Sequence, residues 1–113
     1  MLTYALVILS AAVLGGFVLA SNVLRGRFAP WAVSIGHALL GMTGIGILVW
    51  VVWQGAQPAR VSAALGLLVA AALGGFTLAS MHLRGSLSPR TVVYVHAAVA
   101  IVGVLVLFSV VVA

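Results

Sequence analysis

Four apolar stretches account for nearly all of this 113-residue chain: Leu2 to Leu24, Trp31 to Trp53, Val61 to Leu83 and Thr91 to Ala113. Each exceeds the roughly 20 residues that a helix needs to cross the hydrocarbon core of a bilayer. The breaks between them combine charge with Gly and Pro: Arg25-Gly26-Arg27 with Pro30, Gln54-Gly55-Ala56-Gln57-Pro58 with Arg60, and Arg84-Gly85-Ser86 with Pro89 and Arg90. Such clusters end one helix and start the next. Strands of a membrane barrel would alternate lipid-facing and lumen-facing residues over about ten positions, and these runs do not. The pattern predicts an all-α fold, a four-helix transmembrane bundle with short connections, forming one membrane domain over residues 1–113. A cleaved signal peptide ending near Val18-Leu19-Ala20-Ser21 is the alternative for the first stretch. It lacks a basic leader, and its apolar run is longer than a signal core.

Composition then narrows the chemistry. Only 4% of residues are charged, against about a quarter in a soluble domain, and 65% are hydrophobic. There is no Asp, Glu, Lys or Cys, so carboxylate pairs, acid-bearing triads, thiolate nucleophiles and sulfur-based metal sites are excluded. No acid is present to drive proton-coupled transport. The five arginines are spread over three connections and form no basic patch, which argues against a nucleic-acid partner.

The chain also repeats itself. Residues 11–38 align without gaps to residues 70–97, with 16 of 28 positions identical. Leu14-Gly15-Gly16-Phe17 returns as Leu73-Gly74-Gly75-Phe76, Leu24-Arg25-Gly26 as Leu83-Arg84-Gly85, Pro30 as Pro89, and His37-Ala38 as His96-Ala97. Hydrophobicity alone does not put Arg-Gly, Pro and His in register. The reading is two tandem helical hairpins, repeat 1 over about residues 2–53 and repeat 2 over about 61–113. An even number of spans per repeat gives both hairpins the same orientation, related by an axis along the membrane normal. His37 and His96 are then expected at one depth, facing each other if both point inward.

Arginine placement sets an expected orientation. Arg25, Arg27, Arg84 and Arg90 lie in or beside the first and third connections, whereas Arg60 is alone on the side of the termini. The positive-inside rule makes the first and third connections cytoplasmic and puts both termini opposite. The expected location is a bacterial inner membrane, with Trp31, Trp50 and Trp53 in the interfacial belts.

Each of the two repeated histidines follows its proline by seven residues, roughly 10 Å into the helix. An ionisable side chain at that depth is a functional hypothesis by default. Gly44 and Gly103 stand two turns deeper on the same faces, with Gly41 and Ala100 between. A bulky planar ligand held by the histidines would need such notches. Gly15, Gly16, Gly74 and Gly75 lie at a comparable depth on the other two spans. The alternative is structural: an inter-helix hydrogen bond from each histidine, with small residues present only for close packing.

Paired histidines within four spans resemble those of the bis-histidine membrane cytochromes b. The resemblance implies one haem b at most, because the dihaem members need four ligating histidines. His37 and His96 would be its axial ligands, with Arg25 and Arg84 as propionate partners. The function implied is single-electron transfer by a small cytochrome or haem-binding subunit, not by a stand-alone enzyme. A quinone or another membrane redox partner would complete it, and Asn22, Tyr4 and Tyr94 are the residues that could line its path. Ser21 and Ser80, repeated near the helix ends, can reach a ligand or bond back to their own helix. His82, whose aligned residue is Val23, reads as an interfacial polar side chain or as a propionate or headgroup donor. A zinc site would need His82 to converge with His37 and His96 despite its shallower position.

Two further functions compete. A non-catalytic accessory subunit would use the small-residue faces to bind a larger membrane complex or a second copy. A small four-span transporter is similar in size to the small multidrug resistance proteins, but those depend on a membrane-embedded glutamate that is absent here. The polar motifs of the small fluoride channels are not found either.

Overall fold

A computed structural model describes residues 1–113. It contains four helices and no strands: α1 (Leu2–Leu24), α2 (Trp31–Trp53), α3 (Ala59–Leu83) and α4 (Arg90–Val111). At a rise of about 1.5 Å per residue each is roughly 33–38 Å long. The bundle measures 44 × 23 × 20 Å, and its long dimension matches a bilayer of about 40–45 Å including headgroups. All four helices are long and apolar enough to cross a membrane, which makes this an integral membrane protein.

The connections are built by Pro at one end and Gly at the other. Pro30, Pro58 and Pro89 cap the starts of α2, α3 and α4 with φ of −59°, −55° and −58°. The pyrrolidine ring fixes that angle, and its missing N–H falls where a helix has no internal acceptor for one. Helices therefore begin immediately after each proline, so α3 and α4 start two residues and one residue before the apolar runs. Arg60 and Arg90 thus lie in first helical turns. At the far ends of α1 and α3, Gly26 and Gly85 take φ of +74° and +70°. Gly26 N–H donates to Val23 O and Arg27 N–H to Asn22 O, both at 2.9 Å. Gly85 N–H to His82 O and Ser86 N–H to Met81 O repeat the motif at 3.1 and 2.9 Å. These are Schellman closures, which need a left-handed residue at that position.

α1 packs on α2 and α3 on α4 as hairpins, and the hairpins meet along α1–α4 and α2–α3. No diagonal pair is in contact, so α2 and α4 face each other across the bundle axis. Inward positions follow the helical period: Ala5, Leu9, Ala12, Gly16, Ala20 and Val23 on α1, and Ala64, Leu68, Ala71, Gly75, Ala79 and His82 on α3. The buried cluster of Ala5, Leu9, Leu48, Val51, Val61, Ala64, Leu68 and Leu107 occupies only the half of the bundle nearest the termini. The other half, toward the first and third connections, surrounds a partly open cavity of about 250 Å³.

Candidate functional site

The cavity takes its shape from what is missing along α1 and α3. Past Leu9 and Leu68 the inward residues of these two helices are alanine and glycine for three turns, so neither helix sends a large inward side chain toward the axis there. From the diagonal helices, His37 on α2 and His96 on α4 project into this space, both half-buried and both lining it. Their ring centroids are 6.3 Å apart and their planes lie at 82°.

Each imidazole is anchored in the same way. His37 Nδ1 lies 2.7 Å from Ala12 O, and His96 Nδ1 lies 2.7 Å from Ala71 O. A carbonyl oxygen only accepts, so Nδ1 must carry the proton and donate it. Nε2 is then the unprotonated nitrogen with a free lone pair in the neutral ring. Neither Nε2 has a protein partner, and no partnerless side-chain nitrogen or oxygen is sealed in the interior. Neither Nε2 is therefore sealed inside the packed protein. An outer hydrogen bond that fixes tautomer and ring orientation is the usual support of a metal-binding histidine.

The glycine pairs make those anchors accessible. Gly15 and Gly16 are three and four residues after Ala12, where side chains on the same face would shield its carbonyl. A Cβ on Gly16 would come 3.1 Å from His37 Cε1, and one on Gly15 3.6 Å from His37 Cβ. At Gly75 and Gly74 the corresponding distances are 3.2 Å to His96 Cε1 and 3.4 Å to His96 Nδ1.

Gly44 and Gly103 have a different role from the ligand clearance anticipated in the sequence. Leu9 fills the notch at Gly44 so closely that any Cβ there would collide with it. Leu68 and Leu67 fill the one at Gly103, with Leu68 Cγ 3.0 Å from where a Cβ would stand. Both glycines are buried in the packed half, and Leu9 and Leu68 also form the cavity floor. Gly41 has nothing within 4 Å of its Cβ position and lines the cavity.

Arg25 and Arg84, read as anion partners, are not brought to the cavity. Both are exposed at the helix ends and neither lines it. Arg84 folds back on its own helix, donating to Ser80 O at 3.3 Å and Ser80 Oγ at 3.4 Å. Arg90 instead donates to Leu24 O at 3.2 Å, joining α4 to α1. Ser21 and Ser80 donate to backbone carbonyls of their own helices, and Asn22 does the same. Tyr4 and Tyr94 face outward.

His82 is not a free interfacial side chain. Its ring stacks on Trp31 of α2, with centroids 3.9 Å apart and planes at 4°, and its Nδ1 lies 3.5 Å from Ser34 Oγ. No three His, Cys, Asp or Glu side chains form a metal-binding group, and the paired histidines stand alone. Two participants leave little trace in sequence: the Ala12 and Ala71 carbonyls. Their only signal is the Ala-Ala-x-Leu-Gly-Gly string that precedes each histidine at the same interval. No protein-family model matches this chain, and no curated protein or solved structure matches it either.

Proposed function

We propose that this protein is a small membrane-embedded haem b protein, with His37 and His96 as the two axial ligands, serving single-electron transfer. The observation that carries the reading is the pair of oriented imidazoles. Two imidazoles on facing helices would hold one haem iron between them through a ring nitrogen of each. The ring centroids here are 6.3 Å apart. The donor set fits as well: two imidazoles with free Nε2 atoms, on diagonal helices, lining a mostly apolar cavity.

Haem held in this way supplies a one-electron ferric–ferrous couple. The chain's own residues provide the setting for it. Ala12 and Ala71 carbonyls hold the two Nδ1 protons and so keep both Nε2 atoms available as ligands. Leu9 and Leu68 close the floor toward the packed half. The lining is mostly apolar, and no acid is present to exchange a proton with the site. The excess of arginine beside the first and third connections supports a cytoplasmic position for that end of the bundle, with a quinone or membrane redox protein as electron partner.

Purified protein from cells with ample haem is expected to show oxidised and reduced spectra of a six-coordinate b-type centre. Substituting both histidines by Ala should abolish them. Absence of haem bands from the wild-type protein, or bands unchanged in the double variant, would refute the proposal.

A further inference from the structure

The two seams between the hairpins are related by the sequence repeat, yet their polar chemistry differs. At the α1–α4 seam, Val23 and buried Val93 line the cavity, and Arg90 lies outside on Leu24 O. At the α2–α3 seam the aligned residues are His82, Ser34 and Trp31. Two valines suffice for packing in one seam, so packing does not by itself require the Ser–His pair in the other.

The pair is also placed with respect to the ligand histidines. Ser34 is one turn from His37 on the same face of α2. His82 is two turns past Gly75, which touches His96, with Ala79 between them, and all three line the cavity. Ser86 and Ser88 of the third connection line the same end. Every polar cavity-lining side chain other than His37 and His96 therefore sits at this end, Trp31 included. The opposite end is closed by leucine. The Trp31 stack fixes the plane of the His82 ring, and its Nδ1 faces Ser34, so Nε2 is the nitrogen left to meet a ligand.

We propose that His82, positioned by Trp31 and Ser34, receives a carboxylate of the cavity's planar ligand, the role that Arg25 and Arg84 do not fill. This rests on the haem reading and assigns the end of the cavity at which the propionates lie. A carboxylate suits this rim because the chain holds no acid to compete for it and carries four arginines at the same end of the bundle.

The test titrates the full-length apoprotein in detergent micelles with haemin and, separately, with haemin dimethyl ester, whose propionates are capped. His82→Leu is expected to weaken haemin binding about tenfold, the loss of one hydrogen bond to a charged group, and to leave the dimethyl ester unchanged. His82→Gln keeps a donor and should restore most of the haemin affinity. Ser34→Ala, a smaller change to the fold, should lower haemin affinity in the same ester-sensitive way. Equal weakening of both porphyrins in His82→Leu, or no weakening of either, overturns the assignment while the axial ligation stands. A wild-type protein that binds neither porphyrin overturns the haem reading and this assignment together.

Discussion

The two halves of the bundle use small residues, on different helices, for opposite ends. Toward the termini, glycine on α2 and α4 receives leucine from α1 and α3: Leu9 enters at Gly44 and Leu68 at Gly103. Toward the first and third connections the small residues lie on α1 and α3, and what they admit is an imidazole reaching for a backbone carbonyl. The first arrangement fills the axis and the second leaves it open. In a bilayer, where helices gain little from leaving lipid, close packing is the main source of helix association. The packed half therefore holds the bundle together while the other half keeps a cavity open along the axis.

The largest expected effect lies at the open half. Replacing His37 and His96 together by Ala should remove the haem spectrum entirely while the protein stays helical by circular dichroism. A double variant that unfolds would instead assign the histidines to the scaffold. Next come the substitutions that separate the halves by stability. Leu9→Ala should cost about 2 kcal/mol, from the cavity it leaves in the packed half. Gly44→Ala should cost about 1–3 kcal/mol through overlap with Leu9. Gly41→Ala, three residues away on the same helix, has open space at its Cβ and should cost under about 0.5 kcal/mol. Reversible unfolding in mixed detergent micelles reads all three, and equal losses at Gly44 and Gly41 would erase the distinction between the halves.

Gly16→Ala and Gly75→Ala should act on the site more than on the fold. Each added methyl group would stand 3.1–3.2 Å from an imidazole carbon, so the ring must tilt away from its carbonyl. The expected result is haem affinity lowered about tenfold with unfolding changed by less than about 1 kcal/mol. The smallest effect belongs to Arg25→Ala and Arg84→Ala. Both side chains lie outside the cavity, so haem affinity should stay within about twofold. A tenfold loss in either would return the propionates to the arginines.

Much of the fold was legible because membrane spans are set by length and apolarity, and each break carries its own Pro or Gly. The first two helices match the apolar runs residue for residue. The earlier starts of α3 and α4 arise because proline, not hydropathy, decides where a helix begins, and α4 ends at Val111, two residues short of its apolar run. The site was legible only in part. The depth of His37 and His96 and the arithmetic of the repeat pointed to a facing pair, but glycine in a helix looks the same whether it admits a leucine, an imidazole or nothing. Gly44 and Gly16 differ only in what the neighbouring helix brings to them. His82 shows the same limit, since its Trp31 and Ser34 partners lie about fifty residues away and share no local pattern with it.

The sequence by itself determined four membrane-spanning helices, their turns and an interior without acids or thiols. These follow from composition and from the backbone's need to satisfy its own hydrogen bonds in lipid. Tertiary structure alone decided which helices stand diagonally, which glycines are filled and which ring nitrogen is left free. Those depend on distances between residues remote in the chain, and a 2.7 Å hydrogen bond from an imidazole to a carbonyl 25 residues earlier exists only once two helices are packed at a fixed rotation.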